Sequence, residues 1–217
     1  MADIPFDQDA SVGSDDPDGN YGAAPEFLVE YDHAKGGAQY QGYASVDFSA
    51  LTDLTDASQV QAAGCKMYCR NAAGVAMGIR WDRVIPGNGQ PGWDQSTITW
   101  NTRPNGGVVD SAVVSDVVVG WAGEWHTWDI ASMIEDAVTN REKKWNGQAH
   151  FQSYSQNEVN YRGFDSNEQT AGNDPYITIT YTVGEELKVV SIPFSDIKEL
   201  IGVAQAYIKK VAGVSTS

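Results

Sequence analysis

The sequence predicts an all-β fold: an antiparallel β-sandwich or jelly roll with one short helix and a small amphipathic C-terminal element. Three observations carry this. Short segments rich in Val, Ile, Thr, Tyr and Trp recur along the 217 residues, divided by Gly, Asn, Asp and Pro. The run Tyr176–Val183 alternates, with Ile177, Ile179 and Tyr181 on one face and Thr178, Thr180 and Thr182 on the other. Only one segment of the body has a helical period. Asp129 is a good N-cap, and Ile130, Met133, Ile134, Ala137 and Val138 behind it form an apolar stripe that predicts a helix plugging one end of the sandwich.

The elements follow in order. Residues 1–34 hold nine Asp or Glu and no Lys or Arg, which reads first as a solvated acidic surface. Within them Asp16, Asp18 and Asn20 stand at alternate positions, the start of an oxygen-ligand loop for a structural calcium; an ordinary Asp/Gly turn is the other reading. Strands are expected at Glu26–Tyr31, Tyr43–Phe48, Val60–Cys69, Gly78–Ile85, Thr97–Trp100, Ala112–Val119, Gln148–Tyr154, Val159–Phe164 and Tyr176–Val183. Cys65 and Cys69 fall on one face of the third. On an extended chain their Cα atoms lie about 13 Å apart at ~3.3 Å per residue, and a disulfide needs less than about 7 Å. Two free, buried thiols are expected, which suits a reducing cytosol.

Trp93–Pro104 is the most informative stretch. It reads as a short strand with Ser96, Ile98 and Trp100 on one face, closed by turn chemistry from Asn101 to Pro104. It carries no nucleophile, general base or metal-ligand pair. Trp121–Trp128 is an aromatic cluster. Trp125 and Trp128 have an odd spacing, so an extended chain sends them to opposite faces and one can be core while the other is exposed; Trp125 is the better candidate for exposure. An exposed indole can stack on the C–H face of a pyranose. Trp125, Trp121 and Trp145 are therefore the glycan-stacking candidates.

Several of these pieces resemble the DNRLRE-type domains, β-sandwiches related to carbohydrate-binding modules. The pieces are Asn20-Tyr21-Gly22, Ala44–Ser49, the Trp-acidic-x-x-Thr-x-Thr-Trp-Asn-x-x-Pro run at 93–104, Trp128-Asp129-Ile130, Phe164-Asp165-Ser166 and Asp174–Tyr181. The resemblance covers roughly residues 8–183 and implies a sandwich that binds carbohydrate. The family's Ser-Arg-Glu reads Ser166-Asn167-Glu168 here.

From Gly184 the composition changes. Residues 1–183 are expected to be the sandwich and 184–217 an interaction or assembly segment. The tail repeats an Ile-Lys-x-aliphatic-x-Gly-Val-small pattern at an offset of eleven residues. Ile197, Ile201, Ala204, Ile208 and Val211 make an a/d seam, and Ile197, Leu200, Ile201, Ile208 and Val211 are the candidate assembly residues. The element either packs on its own sandwich or docks on another subunit. The repeats also resemble the ends of tailed-bacteriophage virion proteins.

Charge and motif content bound the function. A net charge of −15 disfavours nucleic acid. No run reaches the roughly 18 apolar residues that cross a membrane, and the start has no signal-peptide pattern. None of the hydrolase, zinc-protease, phosphate-loop or dinucleotide motifs is present. Glu124 is the one carboxylate in an aromatic cluster. The chain is read as non-enzymatic, with no cofactor beyond the possible calcium. The leading expectation is a structural protein of a virus particle (a phage decoration, head-fibre or tail component), located in the virion and partnered by copies of itself or by other virion proteins. The alternative is a secreted module that binds a cell-surface or cell-wall polysaccharide.

Overall fold

The computed structural model describes residues 1–85, 93–104, 114–153, 159–169 and 172–183. The chain divides into two units between Val183 and Gly184. The second unit, with Ile197, Leu200, Ile201, Ile208 and Val211, lies outside the described residues.

The first unit is all-β, as the sequence predicts. Its strands are β1 (Ala2–Pro5), β2 (Gln8–Gly13), β3 (Glu26–Asp32), β4 (Ala38–Asp47), β5 (Val60–Ala73), β6 (Met77–Arg83), β7 (Val114–Val119), β8 (Glu124–Asp129), β9 (Lys144–Ser153), β10 (Val159–Asp165) and β11 (Tyr176–Tyr181). One helix, α1 (Ala131–Asn140), and a 3-10 turn at Ala57–Gln59 complete it. Every described pairing is antiparallel, and the ladder runs β1-β11-β5-β10-β3-β4-β9-β6-β7. Two long strands change partners along their length. β5 pairs β11 through Val60–Lys66 and β10 through Cys69–Ala73, while β8 pairs it over Gly64–Cys69. β4 likewise passes from β3 at Ala38–Tyr40 to β9 at Gly42–Asp47 along one edge and holds β2 on the other. Strands that switch partners let one ladder turn back on itself and enclose a core.

The main core is aromatic. Trp81 and Trp145 rings lie 5.3 Å apart, Phe27 stacks on Trp81 at 5.8 Å, and Phe6 meets both indoles. Trp128 joins the two limbs: its ring meets Phe164 edge-on, and its indole N–H donates to the Ile79 carbonyl at 2.9 Å. Cys65 and Cys69 are free and buried, facing inward with Met67. The helix buries Met133, Ile134 and Ala137, but its N-cap is Ile130, which makes no side-chain cap bond; Asp129, the expected cap, stands one residue earlier and accepts the Ala131 N–H at 3.0 Å.

Arg162 is fully buried on β10. Its guanidinium donates to the carbonyls of Val119, Ala73, Tyr161 and Val75 at 2.6–3.0 Å. It thereby holds the β5–β6 turn and the end of β7 against β10. Burial pulls its pKa down, and the nearby Cys69 only partly offsets this.

Trp93–Pro104 is not a strand. Asp94 accepts N–H groups from Ser96 on its side chain and from Thr97 and Ile98 on its carbonyl, closing one tight turn. Thr99 and Thr102 exchange backbone-to-hydroxyl bonds in a second turn. These local side-chain bonds outcompete a ladder, although Thr, Ile and Trp favour strands. The segment caps a second, smaller core of Ala10, Val12, Tyr43, Val84 and Ile98, flanked by Trp93 and Trp100. The Asn20-Tyr21-Gly22 turn is its clasp. Asn20 donates to the Gln95 and Ile98 carbonyls at 2.9 and 2.7 Å. A Cβ on Gly22 would lie 1.9 Å from the Gln95 oxygen, so only glycine fits.

Candidate functional site

β5 alternates. Cys65, Met67 and Cys69 enter the core, and Lys66, Tyr68 and Arg70 take the outer face. Its neighbours continue that outer surface. Trp125 on β8 is the direct cross-strand partner of Tyr68, and Tyr176 on β11 is the partner of Lys66. The Trp125 ring stands 5.6 Å from Tyr68 and 5.6 Å from Tyr176, edge-on to each. The Lys66 ammonium lies 5.6 Å from the centre of the Tyr176 ring. Trp125 is 43% exposed although braced by two tyrosines. This is an aromatic platform fixed by strands.

Polar groups surround it. Arg70 bonds the buried Asp165 carboxylate, whose second oxygen has no partner among the described residues. Trp121 is 74% exposed in the turn between β7 and β8. Gly123 in the same turn adopts φ +92°, donates its N–H to the Cys69 carbonyl at 2.7 Å, and lies beside the Tyr68 hydroxyl. That turn therefore abuts the platform. On the inner side of β8, burial holds the His126 imidazole below its usual pKa. It is neutral near pH 7, and its Nε2 has no hydrogen-bond partner among the described residues.

Of the three tryptophans nominated from sequence, two are exposed and one is not. Trp145 is 1% exposed, packed against Phe6 and Trp81, with its indole N–H on the Met133 sulfur at 3.4 Å. It cannot stack on a ligand. The strand that carries it begins at Lys144, earlier than the expected Gln148, and pairing Trp145 with Val46 turns the indole inward. Tyr68, Tyr176 and Lys66 were not nominated. The alternation of Cys, Met and Cys with Lys, Tyr and Arg on β5 was the available signal.

The three calcium candidates turn to protein partners. Asp16 accepts from the Tyr21 hydroxyl at 2.9 Å, Asp18 from the Asn101 amide at 2.8 Å, and Asn20 gives its amide to two carbonyls. Among the described residues no three His, Cys, Asp or Glu side chains gather as a metal cage. Ser166-Asn167-Glu168 is also structural. Ser166 donates to the Ala24 carbonyl at 2.7 Å, the Asn167 backbone N–H donates to Asp9 at 2.9 Å, and Glu168 accepts from Gln95.

A braced, part-exposed aromatic surface bordered by N–H donors has the chemistry to pack against the apolar C–H faces of sugar rings. No curated protein matches the sequence. The model of carbohydrate-binding module family 96 matches residues 1–181, nearly the whole of the first unit. That family consists of binding modules, and the match supports the polysaccharide reading better than the particle-component reading that the acidity and the tail suggested. By that match the chain belongs to carbohydrate-binding module family 96.

Proposed function

We propose that this protein binds a polysaccharide on the outer face of β5, β8 and β11, with Trp125 as the principal stacking ring. The observation that carries this is the exposed Trp125 ring, held between the half-buried Tyr68 and Tyr176 by strand pairing. A rigid aromatic loses little side-chain freedom when a ligand lands on it, so most of the contact energy reaches the affinity. Lys66 and Arg70 flank Tyr68 on β5 and supply N–H donors to glycan oxygens. Trp121, on the adjoining turn, extends the surface for a longer chain.

The test is affinity electrophoresis of the full chain in gels containing a panel of soluble plant, algal and bacterial polysaccharides. Retardation by at least one, lost in Trp125→Ala with its circular dichroism unchanged, supports the platform. Equal retardation of wild type and Trp125→Ala in every gel that retards the protein places binding elsewhere.

A further inference from the structure

Apart from the platform, two cavities flank the start of β9 and share Lys144, Trp145 and Asn146 as walls. One, of about 250 Å³, opens between β9 and α1 over Val84, Met133 and Ala137. The other, of about 380 Å³, opens toward Asp7 and the end of β4 at Ser45–Asp47. Sites for small ligands run from ~300 Å³ upward; neither lobe is large enough for more than one small ring, and the two side by side match two adjacent rings.

The turn that shapes the rim is unusual. Glu142 and Lys143 both have positive φ, 53° and 62°, though neither is glycine. Consecutive side chains in this region are strained, and such strain gathers at functional sites. The turn is fixed from below: Lys143 donates its backbone N–H to Ala137 at 2.9 Å and its ammonium to the Leu51 carbonyl at 2.7 Å. The Lys144 backbone N–H donates to the Arg141 carbonyl at 2.9 Å, and the side chains of Glu142, Lys144 and Asn146 make no hydrogen bond among the described residues, although the Lys144 charge acts on Asp47. Asp136 is already engaged by Asn140, Arg83 and Arg141. Burial opposes its ionisation, but those partners outweigh it and keep the carboxyl below its usual pKa. It is a permanent charge that orients Arg141 at the rim.

We infer that this two-lobed groove is a second saccharide-binding site, taking two adjacent sugar units, with Lys144 and Asn146 as the polar ridge between them. Interleaved donors (Arg141, Lys144, Asn146) and acceptors (Glu142, Asp47) over apolar floors suit a polyhydroxylated ring, which offers both. The inference rests on the reading that the module binds carbohydrate, but not on the platform. Two sites on one rigid body would raise the retention of a long glycan beyond what either gives alone.

The experiment is an amide chemical-shift titration of the labelled full chain with cellobiose, maltose and di-N-acetylchitobiose in separate series. At least one is expected to shift Glu142–Gly147 and Val46–Asp47 saturably. A Lys144→Ala/Asn146→Ala variant should weaken that response at least tenfold, while Trp125→Ala leaves it unchanged. No response in these segments with any of the three sugars overturns the groove, as does a response that survives the double substitution. A failed platform instead appears as polymer retention that persists in Trp125→Ala, so the two failures are separable.

Discussion

Asp9 provides a quantitative test of the packing. It is 2% exposed on β2, and one carboxylate oxygen accepts the Asn167 N–H at 2.9 Å. Burial pushes its pKa up, the Asn167 bond opposes this, and the neighbouring Glu168 charge adds to the rise; the result is about 7, against 3.8 for a free side chain. The folded state therefore keeps a proton that the unfolded state has lost. Stability from this group is fully present below pH 3.8 and declines as pH rises to about 7. At 1.36 kcal/mol per unit the full loss is about 4 kcal/mol, of which about 3 kcal/mol falls between pH 5 and 8. Asp9→Asn removes the titration. Its amide oxygen still accepts from Asn167, and its N–H groups face Glu168, one of whose oxygens is buried without a partner. Urea unfolding of both proteins at pH 5 and pH 8 should show the variant gaining about 3 kcal/mol relative to wild type at the higher pH. A difference between the two proteins that is the same at both pH values refutes the reasoning.

Other outcomes follow from the same structure. Arg162→Met leaves one buried and three part-buried carbonyls without their donor and should cost about 3 kcal/mol in urea unfolding, since each unpaired buried group costs about 1–3 kcal/mol and part-buried ones less. Gly22→Ala drives a Cβ into the Gln95 carbonyl, and its melting temperature should fall measurably below that of Ala23→Ser, which changes an exposed neighbour. Because Asp16, Asp18 and Asn20 are engaged by the protein, a chelator should leave the melting temperature unchanged; a fall reversed by calcium would contradict that geometry. Light scattering of the full chain against one ending at Val183 tests the tail: oligomers formed only by the full chain make residues 184–217 an assembly element.

The fold class was legible because period-2 patterning and turn residues recur across the body, and Tyr176–Tyr181 and α1 show how directly such patterns translate. The short acidic strands β1 and β2 were not legible. Asp3, Asp7 and Asp9 read as solvated surface, yet Ala2–Pro5 pairs with β11 and Asp9 is buried. Trp93–Pro104 misled because alternation over a few residues cannot reveal that Asp94 and Thr99 will bond their own backbone. The site was half visible. Odd spacing separated Trp125 from Trp128, but Tyr68 and Tyr176 join Trp125 only through pairings across about 50–110 residues, which no local pattern encodes. Trp145 failed for a related reason: which residue opens β9 decides which way the indole points.

The central claim is that sugar rings stack on the β5–β8–β11 face. The most direct measurement is the dissociation constant of the full chain and of Trp125→Ala for the polysaccharide that retards the wild type most, with Trp121→Ala and Tyr68→Ala in parallel. Loss of a principal stacking ring should weaken binding at least tenfold, about 1.4 kcal/mol, with smaller losses for the other two. Equal affinity for wild type and Trp125→Ala would contradict the account.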